Sequence, residues 1–194
     1  MSGGKVILGA EYRGAKAAKY EEIRKDKKKW KDEEDTIQLY IRDLPKGSKV
    51  LDVPVGTGRM LKFFDKCGFE VTGVDTSEEM LALAGKLRVK NVNLEVGDAT
   101  KLTYKNKSFD AVLCLRLLHL VPEKTMQTIV TELTRVAKKM MIVTVQMRSE
   151  YYEGNDTVTH VDKKFLALLK RLGWEVTDKK KLTGAGWFVL KLER

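Results

Sequence analysis

The stretch Lys49-Val-Leu-Asp-Val-Pro-Val-Gly-Thr-Gly-Arg-Met60 decides how this chain is read, because an apolar strand, a glycine-rich turn and a helix start follow one another within it. Gly56 and Gly58 permit a tight turn and close backbone approach to a ligand, and the amide groups at the start of the following helix face the same space. This is the local geometry of a nucleotide-type cofactor site. Val71-Thr-Gly-Val-Asp75 adds a second buried-strand pattern that ends in an acid about twenty residues downstream, where a carboxylate can hold the two hydroxyls of a ribose.

NAD binding is the usual reading of such a pair, and two residues oppose it. Pro54 has no N–H to offer a phosphate, and Leu61 stands where a third glycine would allow close contact between helix and strand. A cofactor with a ribose and an adenine but no pyrophosphate fits these residues better. Over Leu51-Asp52-Val53-Pro54-Val55-Gly56-Thr57-Gly58 the chain resembles the class I S-adenosylmethionine (SAM) dependent methyltransferases, whose first motif runs hydrophobic-Asp-x-Gly-x-Gly-x-Gly. Pro54 takes the place of the first glycine.

The resemblance continues in order along the chain, over about residues 48 to 192. Gly97-Asp98-Ala99, after the apolar run Val92 to Val96, resembles the family motif whose acid and next backbone amide read the adenine edge. Phe109 to Cys114 resembles the fourth strand, and Arg116 to His119 then fall in the loop where the family meets its substrate. Met140 to Val145 reads as the fifth strand.

The resemblance implies an α/β, Rossmann-like class I methyltransferase fold with a seven-stranded sheet in the order 3-2-1-4-5-7-6, the last strand antiparallel, and helices on both faces. It implies one domain overall, with residues 1–47 as an arm and helices covering the cofactor site and residues 48–194 as the SAM-binding core. It places SAM against Asp52, Val53, Pro54, Gly56, Thr57 and Gly58 at the methionine end and against Asp75 and Thr76 at the ribose. Gly97, Asp98, Ala99 and Leu115 complete the implied cofactor contacts.

Length and composition agree with such a domain. At 194 residues the chain can bury one sizeable core, and strand patterns alternating with helical ones predict a parallel sheet covered on both faces. No apolar run reaches the length of a membrane span, and Met-Ser-Gly-Gly-Lys5 lacks the apolar centre of a signal peptide. Two cysteines, Cys67 and Cys114, read as ordinary thiols, so a cytoplasmic setting is expected.

The formal charge of +10 admits nucleic acid, acidic headgroups or an anionic small substrate as partners. Lys27 to Lys29 and Lys179 to Lys181 are the basic runs, yet Asp26 and Asp32 flank the first and Asp178 precedes the second. A solvated surface is the plainer reading, with the second run as the exposed edge of a hairpin.

Helical spacing of Trp30, Ile37, Tyr40, Ile41 and Leu44 predicts a helix that ends at Pro45-Lys-Gly47. Gly68 reads as the C-cap of the helix that follows the glycine turn, Thr76-Ser-Glu-Glu79 as a capping box, and Pro122 as a helix start. Glycine also ends an amphipathic helix over Asp162 to Gly173. Two closing strands, Trp174 to Thr177 and Trp187 to Leu192, join around Thr183 to Gly186. Gln146 to His160 is a polar loop of a length that is often functional.

Methyl transfer from a sulfonium is an in-line displacement whose electrophile arrives activated, so the protein chiefly positions the nucleophile and excludes water. His119 could serve as a base or simply close over the cofactor. Two histidines and two separated cysteines offer no metal cluster, and no acid ends the fourth strand to hold magnesium.

Cys114-Leu-Arg-Leu-Leu-His119 stands where base-amino methyltransferases carry Asp/Asn-Pro-Pro-Tyr/Phe, Cys114 lacks the preceding proline of cytosine C5 enzymes, and no double-glutamate loop is present. The resemblance to small methyltransferases of quinone and lipid-like substrates favours a small-molecule acceptor. Tyr12, Tyr20, Arg116, His119, Tyr151 and Tyr152 are the candidate pocket lining. An RNA methyltransferase using its basic surface and a noncatalytic SAM-binding partner protein are the alternatives.

Overall fold

The computed structural model describes residues 28–146, 163–183 and 186–194. Near-continuous apolar strands form its centre, as expected where a sheet is buried on both faces. β1 (Lys49–Asp52), β4 (Phe109–Cys114) and β5 (Ala137–Gln146) are the middle strands. β2 (Glu70–Asp75) and β3 (Val92–Val96) extend the sheet on one side, β7 (Trp187–Glu193) and β6 (Glu175–Lys181) on the other.

The strand order is β3-β2-β1-β4-β5-β7-β6, with β7 antiparallel to both β5 and β6 and the other neighbouring pairs parallel. The expected order and the antiparallel last strand both hold.

Strand alternation divides the core into two layers. α1 (Lys28–Ile41), α2 (Leu61–Cys67) and α3 (Glu78–Gly85) cover one face, where Ile37, Ile41, Leu61, Phe64 and Ala84 meet Val50, Leu113, Ile142 and Val189. α4 (Glu123–Val136) and α5 (Lys163–Arg171) cover the other, where Ile129, Leu133, Phe165 and Leu169 meet Leu51, Val112, Val143 and Leu190. Each large apolar side chain so enclosed contributes roughly 1.5–3 kcal/mol. The edge strands β3 and β6 are the least buried, consistent with their positions.

Local signals place the helices. Gly68 caps α2 at φ 71°, its N–H donating to the carbonyls of Phe64 and Asp65, as expected. The start of α3 corrects the expected capping box by one residue. Ser77 is the N-cap, its Oγ accepting the Met80 N–H at 3.2 Å and bonding to the Glu79 carboxylate at 3.0 Å. Asp75 holds the N–H groups of both Thr76 and Ser77, and it is the Ser77 hydroxyl that caps the helix. Pro122 is the N-cap of α4 and so lies just before its first turn.

The two basic runs approach each other. Asp32 on α1 accepts the Thr183 hydroxyl at 2.6 Å, and that bond, together with the charges of Lys28 and Lys180, holds its carboxyl below the usual range. Acidic groups thus sit within the basic surface as well as beside it in sequence. Lys27 lies outside the described residues.

Candidate cofactor and acceptor site

The strand order reverses between β1 and β4, and in open α/β sheets ligands bind in the crevice outside the carboxyl ends of the strands at such a point. Asp52 ends β1 there and Asp75 ends β2. Register places Asp52 beside Gly73 and Leu113, and Asp75 beside Val96, so the motif residues from four strands share one edge.

Asp75 is buried and joins this edge to the glycine turn. Its Oδ2 accepts the Gly56 N–H and its Oδ1 the Ser77 N–H, both at 2.9 Å, with the Thr76 N–H a third donor. Burial raises its pKa against the pull of these amides. A carboxylate has about four lone-pair sites, so room remains for a ligand hydroxyl.

Asp52 differs. It is 3% exposed and its Oδ1 has no hydrogen-bond partner. Burial pushes its pKa up to about 7; the Arg59 guanidinium works against this shift and the neighbouring Asp75 adds to it.

The two glycines of the turn have different reasons. At Gly56, φ 56°, a Cβ would meet nothing within 4 Å, so the chain turns beside open space. At Gly58, φ 81°, a Cβ would lie 2.7 Å from Leu61 Cδ1 and 3.1 Å from Ala84 Cβ, so glycine lets the turn pack against α2 and α3. A buried carboxylate with one unpartnered oxygen beside an open glycine turn fits an ammonium-bearing cofactor such as SAM. Val53 and Thr57 are buried and Pro54 is half-buried in the same turn.

Asp98 is half-buried, and its Oδ1 accepts the N–H of Thr100 at 2.8 Å and its hydroxyl at 2.7 Å, fixing the turn after β3. Ala99 is buried. A Cβ at Gly97 would lie 2.8 Å from Val74, so this glycine serves close packing. Leu115 is buried just beyond β4.

Beyond β4 the chain holds a charged cluster that sequence reasoning did not identify. Glu33 of α1 is 0% exposed and its two oxygens accept from Arg59 Nη1 at 2.8 Å and Arg116 Nε at 2.9 Å. The Arg116 guanidinium lies 4.6 Å from the Trp30 ring centroid and 3.8 Å from that of Trp187. Its backbone, at φ 59°, donates to Thr144 Oγ1 at 2.6 Å. A buried charge persists only when paired in this way. Trp30 at helical spacing and Trp187 in a strand pattern read as core, and nothing in local sequence pairs Glu33 with residues so far along the chain.

His119 lies in the 3-10 turn Leu118–Leu120, its ring edge-on to Trp187 at 4.6 Å. Burial, then the charge of Arg116, lowers its pKa to about 4 despite Glu33, and its Nδ1 has no hydrogen-bond partner. Of the candidate lining, Arg116 and His119 therefore stand together at Trp187. Tyr12, Tyr20, Tyr151 and Tyr152 lie outside the described residues. Among the described residues no three His, Cys, Asp or Glu side chains could hold a metal ion, and no helix is long and apolar enough to cross a membrane. A surface hollow of ≈ 550 Å³ lined by Lys49, Glu70, Val92 and Phe109 lies at the opposite ends of the strands, away from this chemistry.

Residues 50–140 match the family described as a methyltransferase domain. By this match and its sheet order the chain resembles the class I SAM-dependent methyltransferases. The chain is 32% identical over 135 residues to phosphatidylethanolamine N-methyltransferase of Cereibacter sphaeroides, covering 66% of the chain and 64% of that relative. It is 37% identical over 81 residues to ubiquinone biosynthesis O-methyltransferase of Coxiella burnetii, covering 40% of the chain and 35% of that relative. The chain therefore spans less than two thirds of the length of these curated relatives. The fold is similar to that of magnesium protoporphyrin IX methyltransferase from Synechocystis with bound S-adenosylhomocysteine, at a TM-score of 0.79, 16% identity and coverage of 95% and 96%.

Proposed function

We propose that this chain is a SAM-dependent methyltransferase that binds SAM at the Asp52–Asp75 edge and transfers its methyl group to a small-molecule acceptor by in-line displacement. The observation that carries the reading is the buried, unpartnered Oδ1 of Asp52 beside the open turn at Gly56. When bound, SAM supplies an already activated methyl electrophile. The chain supplies positioning and exclusion of water.

In this reading Asp52 holds the methionine ammonium, with Val53, Pro54, Gly56, Thr57 and Gly58 shaping the turn around it. Asp75 and Thr76 meet the ribose. Gly97, Asp98, Ala99 and Leu115 border the adenine. Arg116 and His119 belong to the acceptor side. His119, with a pKa of about 4, is neutral near pH 7 and a weak base, so it enters as pocket wall and hydrogen-bond acceptor.

A small acceptor is supported by relatives named for phosphatidylethanolamine and for ubiquinone biosynthesis. The acids set among the lysines, Asp32 beside Lys28 and Lys180, disfavour an RNA surface.

Two measurements test this. Calorimetric titration with SAM is expected to show one-site binding, and preferential binding of NAD would overturn the cofactor assignment. Labelled SAM incubated with fractionated metabolite pools and with cellular RNA is expected to label a small molecule. Label in RNA alone would move the function to nucleic acid, and no transfer despite tight SAM binding would make the protein a noncatalytic binder.

A further inference from the structure

We propose that Trp30, Trp187 and Glu33 form a subsite for an ammonium group of the methyl acceptor, in which the guanidinium of Arg116 is the resident stand-in. Two indole rings and a carboxylate with 0% exposure surround one cation, with ring centroids at 4.6 and 3.8 Å and the carboxylate at 2.9 Å. Aromatic rings attract a cation through their negative faces within about 6 Å, and such cages are how proteins recognise quaternary ammonium groups. Position agrees with this use. Arg116 follows β4 at the sheet edge that carries Asp52, and Arg59, directly after the glycine turn, shares the same Glu33 carboxylate.

Arg116 is placed to yield. Its φ of 59° lies in the left-handed region that disfavours side-chain-bearing residues, and such conformations concentrate at sites that switch or bind. The backbone N–H is fixed to Thr144 Oγ1, so the side chain can withdraw while the loop stays anchored. Arg59 remains on Glu33 at 2.8 Å when it does, which leaves the buried carboxylate paired. An ammonium entering the cage regains both the ring faces and the charge. Because attraction to the rings needs no N–H, the subsite holds a fully methylated nitrogen as well as a primary one. A purely structural clamp of the loop onto α1 and β7 has the same contacts in this state but no affinity for a free cation.

The biological meaning rests on the methyltransferase reading; the binding chemistry is tested without it. Indole fluorescence is followed during titration with tetramethylammonium chloride against sodium chloride at equal ionic strength. The wild type, Arg116→Gly, whose φ suits glycine, and Trp187→Leu are compared, and SAM binding is measured on each by calorimetry. Saturable quenching is expected in the wild type, at least about tenfold tighter in Arg116→Gly and absent in Trp187→Leu. No saturable response in either the wild type or folded Arg116→Gly overturns the subsite. If Arg116→Gly does not fold, the wild-type response and its loss in Trp187→Leu decide alone. Retained SAM binding without a tetramethylammonium response overturns only this inference, whereas loss of SAM binding in the wild type overturns the cofactor reading and leaves the cage to be judged by fluorescence.

Discussion

The carboxylate of Asp75 accepts the backbone N–H of Gly56 at 2.9 Å, so the acid that ends β2 sets the shape of the glycine turn after β1. Its other oxygen holds the Ser77 N–H at the start of α3. Asp75→Ala should thus weaken SAM binding by about 2 kcal/mol, the scale of one lost charge-assisted hydrogen bond, and lower stability by a similar amount through the unpaired amides. Calorimetry for SAM and urea unfolding for stability separate the two effects. Unchanged SAM affinity in a folded variant would remove Asp75 from the site.

Asp52 makes a second prediction through protons. Its folded-state pKa is raised from 3.8 to about 7, so the native protein holds a proton there that the unfolded chain has released. Stability from this group is therefore greatest at low pH and declines as pH rises from about 4 to about 7. An ammonium placed on Asp52 favours its ionised form. SAM binding should release close to one proton at pH ~6 and almost none at pH ~8, with affinity rising between them. Calorimetry in buffers of different ionisation enthalpy measures the count; zero release at pH ~6 would show that the ammonium binds elsewhere.

Much of this was legible in the order of the chain. The apolar runs around Val50, Val71, Val112 and Ile142 are long enough and buried enough to be read as central strands, and each motif acid sits where its strand ends. The α3 cap lies one residue beyond the sequence expectation because Thr76 and Ser77 are both capping types, and only the bond from the Met80 N–H to Ser77 Oγ singles out Ser77. The cluster of Glu33, Arg59 and Arg116 was not legible. A glutamate in the acidic run Asp32 to Asp35 has the look of a solvated residue, and its burial follows from how α1 lies against the sheet, which no local pattern encodes.

The two glycines of the turn should respond differently to one methyl group. Gly56→Ala puts a Cβ into open space at φ 56°, so it costs roughly 1–2 kcal/mol of backbone strain and intrudes where the cofactor is placed. Gly58→Ala adds contacts at 2.7 Å to Leu61 and 3.1 Å to Ala84, so the larger loss of stability is expected there. Denaturant midpoints and SAM titrations of the pair check this. Gly56→Ala with full SAM affinity would place the cofactor away from this turn.

His119 should stay neutral across the physiological range. Its folded-state pKa of about 4 lies below the ordinary 6.5, so the unfolded chain takes up a proton first and the group's contribution to stability, complete above about 6.5, is lost as pH falls toward about 4. Two groups oppose each other here: Arg116 disfavours the imidazolium and Glu33 favours it. Arg116→Ala should accordingly raise the His119 pKa, while Glu33→Gln should not. Imidazole C–H shifts followed by NMR, assigned with a His119→Gln control, measure both. An imidazole that titrates near 6.5 in the wild type would contradict its burial against Trp187 and restore His119 as a candidate base.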